Sequence, residues 1–180
     1  MANFVYSIMP ELGPEFLRPA ANSGSNLGVV EALHGAADYA YHAVAEKRGI
    51  NPELIPSLGG ACFDTVEAMA ESPELKGVKA WTERFHTLWF DHGLLVYMNG
   101  NVKELADPTW KQFAPSASNS APDILMGTPE EMIDQGRANG LGKEILQIYA
   151  RAGGLGKNVL QVYPATGIAG NVQHSYAKVT

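Results

Sequence analysis

The chain holds a single cysteine, Cys62. One thiol excludes an intrachain disulfide framework and any Cys-x-x-Cys zinc or redox motif. Long hydrophobic runs are also missing, since no apolar stretch approaches the ~18–20 residues of a membrane-spanning helix. The opening residues, MANFVYSIMPELG, lack a basic segment ahead of an apolar core. No signal peptide is therefore expected, and a cytoplasmic location away from membranes is. Positive charge is scarce: 13 Lys and Arg stand against 19 Asp and Glu, for a net charge of −6. The basic residues are scattered singly, and Lys76 with Lys79 is the nearest approach to a patch. Nucleic-acid binding, which needs a basic face or stripe, is not expected. Charged residues of both signs make up only 18% of the chain, below the ~25% usual in soluble domains. So thin a charge coat suggests a homo-oligomer, with part of the surface covered by another subunit.

What is present suits a single globular domain over residues 1–180. The 46% hydrophobic content is ordinary, and 180 residues can bury a core without disulfide or metal staples. Two segments read as irregular, near 10–26 and 114–127. The first carries three prolines and a Ser/Asn/Gly tail; the second is almost free of large side chains over 114–123.

Helix starts are well marked. Four times a capping residue precedes proline: Asn51-Pro52, Ser72-Pro73, Asp107-Pro108 and Thr128-Pro129. Each pair offers a side-chain oxygen to the free amides of a first turn, followed by a residue with no N–H to satisfy. The pattern predicts helices starting near 52, 73, 108 and 129, the 108 one short. Thr128 with Glu131 adds capping-box spacing. A further helix is predicted over 27–48, where Val29, Val30, Leu33, Ala36, Ala37, Ala40 and Val44 share one side at helical spacing.

Strand-like runs pair a β-branched aliphatic residue with tyrosine, at Asn3–Met9, Leu94–Met98, Ile145–Tyr149 and Val159–Tyr163. The expected fold class is a mixed α/β domain with several helices and a small sheet. The alternative is a mainly α helical bundle, in which Leu75, Val78, Trp81, Phe85, Leu88 and Leu95 form one face of a helix running past Gly93. Asn99-Gly100 offers a tight hairpin after Met98.

The sequence GLGKEILQIYARA at 140–152 returns fourteen positions later as GLGKNVLQVYPAT. A P-loop would need Gly-x-x-x-x-Gly-Lys-Ser/Thr. Arg137 and Arg151 stand where its first glycine belongs, and Glu144 and Asn158 where its hydroxyl belongs. Phosphate binding is rejected on both counts. A heptad seam through Leu141, Ile145, Ile148, Ala152, Leu155, Val159 and Val162 also fits, but Gly142, Gly153, Gly154 and Gly156 inside such a helix would each cost ~1 kcal/mol. Two strands, ILQIY and VLQVY, are the favoured reading.

Several residues are candidates for chemistry. Cys62 follows Gly59-Gly60-Ala61 and precedes a helical pattern, so its thiol would sit at a helix N-terminus, where thiolate is favoured. A histidine among His34, His42, His86 and His92 would then complete a nucleophilic pair. Cys62 and His92 are the catalytic candidates, against a bland reading of both as core residues. Tyr97, Asn99, Tyr149 and Tyr163 lie at or beside the ends of the strand-like runs and are the ligand-binding candidates. Glu31/His34 and Glu83/His86, with Glu67 between them, have the Glu-x-x-His spacing of di-iron bundles. They would hold metal only if they faced the interior, and the apolar faces have the better claim to it. The leading functional expectation is a small-molecule-binding α/β domain, open to an enzymatic role of unspecified reaction and cofactor. The alternatives are a non-enzymatic self-associating subunit and a ferritin-like di-iron protein.

Overall fold

The structure is a computed structural model that describes residues 27–87, 90–114, 117, 121–155 and 173–177. It is mixed α/β, built on an antiparallel sheet. Helix α1 (Leu27–Arg48) is followed by a short 3-10 turn at Pro52–Ser57 and by α2 (Cys62–Ala70). Another 3-10 turn at Pro73–Leu75 leads into strands β1 (Ala80–His86), β2 (Asp91–Asn99) and β3 (Val102–Asp107). A 3-10 turn at Trp110–Phe113, β4 (Leu125–Gly127), α3 (Pro129–Ala138), α4 (Lys143–Ala152) and β5 (Gln173–Ala177) complete the order. The sheet order is β4-β3-β2-β1-β5, antiparallel throughout.

Three of the four cap-and-proline signals mark a real start, though not always of an α-helix. At Asp107-Pro108 the strand β3 ends, and a 3-10 turn begins only at Trp110, with Thr109 as its N-cap. Asn51 and Ser72 accept from the amides of Glu53 and Glu74, yet each opens only a 3-10 turn. Thr128 and Glu131 form the full capping box of α3. The helix predicted from 73 stops within one turn, because Gly77 has φ +90°, a conformation no right-handed helix contains. The chain then pleats into β1, and Trp81 and Phe85, expected on a helical face, lie on a strand. The hairpin closes as Asn99 pairs with Val102 around Gly100 and Asn101, with φ +60° at Gly100.

β2 is the central strand, and it is covered on both faces. Leu95 and Tyr97 join Leu33, Ala36, Ala40 and Met69 of α1 and α2 in one core. Leu94 and Val96 join Met132, Ile145 and Ile148 of α3 and α4 in the other. Side chains alternate between faces along a strand, so a strand buried on both sides reads as the unbroken run LLVYM.

The first copy of the repeat is a helix, which corrects the strand expected at Ile145–Tyr149. Its glycines lie outside the helix rather than in it: Gly142 is the N-cap and Gly153 the C-cap. The helical penalty therefore never arises, and Leu141, Ile145, Ile148 and Ala152 are all buried at the seam spacing. Lys103 on β3 holds the far end of this helix, donating to the Ala152 carbonyl while pairing with the fully buried Glu83 at 3.4 Å. The runs expected at Asn3–Met9 and Val159–Tyr163, and the second copy from Gly156 on, lie outside the described residues.

Gly93 sets how closely α2 sits on the sheet. A Cβ there would lie 2.9 Å from Phe63 Cδ1 and 2.9 Å from Val66 Cγ2, and 3.4 Å from the Cys62 carbonyl oxygen. Gly93→Val is expected to lift the start of α2 off β2 and to destabilise the fold by about 1–3 kcal/mol. Urea unfolding would measure it, and a wild-type midpoint would disprove the close approach.

Candidate active site

The close seat of α2 brings its first residue, Cys62, to the start of β2. The thiol hydrogen-bonds the Asp91 carbonyl at 3.6 Å, and it stands near enough to the His92 ring to favour the imidazolium. Ala61, the N-cap of α2, contributes no capping side chain. The first-turn amides, which have no intrahelical acceptor, are thus left without a cap from that side.

His92 is fully buried on the face of β2 opposite Gly93. Its Nε2 lies 2.6 Å from Oδ2 of Asp107, the last residue of β3 on the neighbouring strand. Asp107 is fully buried as well. The same Oδ2 accepts a 2.7 Å hydrogen bond from the Tyr149 hydroxyl on α4. Its Oδ1 accepts from the Thr109 amide at 3.0 Å, closing a tight turn across Pro108. Both carboxylate oxygens are therefore engaged. The turn is anchored from the other face by Tyr41 of α1, whose hydroxyl donates to the Pro108 carbonyl at 2.8 Å and is shared with that of Asp123 at 3.2 Å.

The rest of the enclosure comes from the 3-10 turn that follows. Phe113 packs edge-on against the His92 ring with 4.8 Å between centroids, and Phe90 lies 4.8 Å from Phe113. The Gln112 side-chain amide is 3.5 Å from His92 Nδ1 and 3.2 Å from the Thr109 hydroxyl. Cys62 retains 3% of its exposure, His92 and Asp107 none. The resting site is closed over its reactive atoms.

Burial alone would push the His92 imidazolium toward losing its proton. The Asp107 carboxylate outweighs that effect through its charge and hydrogen bond, with Cys62 adding to it, and raises the pKa to about 9. Tyr149 is pushed well above its ordinary value, first by burial and then by Asp107, so it stays a hydroxyl donor.

Of the residues singled out from sequence, Cys62 and His92 lie near one another. Tyr149 joins them as a buried partner of Asp107, and nothing places it as a ligand contact. Tyr97 and Asn99 do not reach this site: both bind Glu104, the Tyr97 hydroxyl at 2.6 Å and the Asn99 amide at 3.2 Å. Tyr163 lies outside the described residues. A groove of about 420 Å³ does lie beside Met98, Gly100 and Asn101, completed by Val29, Val78 and Lys79. It shares no residue with the Cys62 site.

The di-iron candidates are not gathered. Glu31 and His34 are exposed on α1, while Glu83 and His86 lie on a strand, where i and i+3 point to opposite faces. Glu67 pairs with Arg84. Among the described residues no group of three or more His, Cys, Asp or Glu is placed to hold a metal.

Sequence reading noted Asp107 only as a helix cap before proline. It does cap a turn, through Oδ1, but its other oxygen serves His92. The signal for that role was a carboxylate ending one strand and a histidine opening the strand before it. No protein-family model, curated protein or solved structure matches the chain, so the geometry alone carries the functional reading.

A histidine pKa raised from about 6.5 to about 9 contributes stability fully present below the lower value and lost as pH rises through the higher. Melting temperature is expected to fall between pH 6.5 and 9.5, and to fall less steeply in His92→Gln. Parallel profiles would rule out His92 as the source. Asp107→Ala, which strips the buried imidazolium of its partner, is expected to cost about 3–5 kcal/mol in chemical denaturation.

Proposed function

We propose that this chain is a cysteine-nucleophile acyl-transfer enzyme, in which Cys62 attacks a carbonyl, His92 moves the proton and Asp107 orients the imidazole. The observation that carries this reading is the 2.6 Å contact between His92 Nε2 and Asp107, made by an imidazole near the Cys62 thiol. A thiol, an imidazole and a carboxylate in series are the parts that nucleophilic catalysis by cysteine requires, and such sets are recognised by geometry rather than by order in the chain.

Each residue then has one task. The reacting form pairs the His92 imidazolium with a Cys62 thiolate, which adds to the carbonyl carbon of an ester, thioester or amide. The resulting oxyanion is stabilised by the uncapped first-turn amides of α2. Imidazolium gives its proton to the departing alcohol, thiol or amine, leaving an acyl thioester on Cys62. Water or another nucleophile, deprotonated by His92, attacks the thioester and expels the Cys62 thiolate, which restores the thiolate–imidazolium pair. Asp107 keeps Nε2 occupied throughout, so the ring presents Nδ1 to the reaction and its positive state is stabilised. The aromatic cover from Phe90 and Phe113 excludes water, which strengthens these charge interactions.

The test uses a small activated ester, p-nitrophenyl acetate, followed by intact mass and peptide mapping. Wild-type protein is expected to release nitrophenolate in a burst and to carry one acetyl group on Cys62. Cys62→Ala is expected to abolish the burst, and His92→Ala to slow it by roughly 100-fold or more. Labelling elsewhere, or equal rates in all three proteins, would reduce the cluster to a structural ion pair of the core.

A further inference from the structure

Asp107 Oδ2 has two donors rather than one. Resting on the acyl-transfer reading above, we infer that Tyr149 is a positioning residue that sets how strongly Asp107 holds the proton of His92. A carboxylate oxygen that accepts a 2.7 Å bond from a phenol shares its negative charge with that bond. Less of the charge is then available to the imidazolium 2.6 Å away on the same atom. The phenol thus acts as a moderator of the pair. It also fixes the carboxylate plane, because Thr109 holds Oδ1 and Tyr149 with His92 holds Oδ2, which leaves the group no free rotation.

The placement of Tyr149 suits this role. α4 presents it from the buried side of the helix, and its ring is fully enclosed, so water does not compete for the hydroxyl. Gly136 of α3 lets α4 approach: a Cβ there would fall 2.6 Å from Leu146 Cδ2 and 3.5 Å from Tyr149 Cε2. Among the described residues, the titratable groups around His92 come from three elements: Cys62 of α2, Asp107 of β3 and Tyr149 of α4. Tyr41 of α1 stands one residue further, on the Pro108 carbonyl. The Asp91 carboxylate turns outward to His86 at 2.9 Å. Thr109, Gln112, Phe90 and Phe113 are neutral. A change at Tyr149 therefore reaches His92 through Asp107.

The experiment compares wild type and Tyr149→Phe in two pH profiles, ester turnover and the rate of Cys62 alkylation by iodoacetamide. The second needs no substrate. Loss of the phenol leaves Asp107 more strongly coupled to His92, so the high-pH limb, where His92 gives up its proton, is expected to move upward by about one pH unit. Asp107→Asn is expected to move it downward. A packing role alone would lower stability and leave the limb in place. An unmoved limb, with alkylation still dependent on His92, overturns the role of Tyr149 and keeps the thiol–imidazole pair. Alkylation that is the same in wild type and His92→Ala overturns both. Should Tyr149→Phe lose cooperative melting, uniform labelling with 3-fluorotyrosine keeps the hydroxyl and makes it a stronger donor. The limb is then expected to move downward, and a fixed limb again refutes the inference.

Discussion

The buried carboxylate of Asp107 is the interaction on which the site depends. A charge removed from water is tolerable only when paired and fully hydrogen-bonded. Asp107 meets that demand with partners from three parts of the chain: His92 from β2, Thr109 from its own turn and Tyr149 from α4. Satisfying it determines where α4 lies against the sheet and how the chain leaves β3. The physical requirement that stabilises the core is the same one that orients the His92 imidazole.

A second constraint is steric. Cys62 can meet His92 only if the start of α2 rests directly on the backbone of β2, and Gly93 leaves room for that. The two constraints converge from opposite faces of one strand, Gly93 turned to α2 and His92 to α4. A pleated strand is the element that presents adjacent residues to opposite sides. The His92 imidazolium is then held by its counter-ion against the desolvation that would otherwise neutralise it. Phe90 and Phe113 close the remaining approach and keep the dielectric low where the proton moves.

Much of the local grammar was legible. The stripe from Leu33 to Val44, the capping box at Thr128 and the hairpin at Gly100 all arise from interactions within a few residues, and the sequence displays them directly. The apolar periodicity from Leu75 to Leu88 misled, because one glycine with positive φ breaks a helix however regular its flanks. ILQIY misled for the opposite reason: β-branched residues suggested a strand, while the glycines that seemed to forbid a helix lie at its two ends. Tertiary burial of the Ile145 and Ile148 face outweighs the intrinsic preference of those side chains.

At the site, Cys62 and His92 could be singled out from sequence as candidates by residue type, a lone cysteine after a glycine pair and one of five histidines. Asp107 and Tyr149 could not be assigned their roles. Their partners are 15 and 42 residues away in the chain, and only strand register and helix docking bring them together. The repeat that contains Tyr149 carries no phosphate-binding chemistry, and it matters because one copy is a helix that delivers a phenol to a carboxylate. Sequence by itself determined the caps, the turns, the apolar stripe and the reactive residue types, all set by short-range sterics and hydrogen bonding. The tertiary structure alone decided that thiol, imidazole, carboxylate and phenol stand in series, because that order depends on long-range packing across both faces of β2.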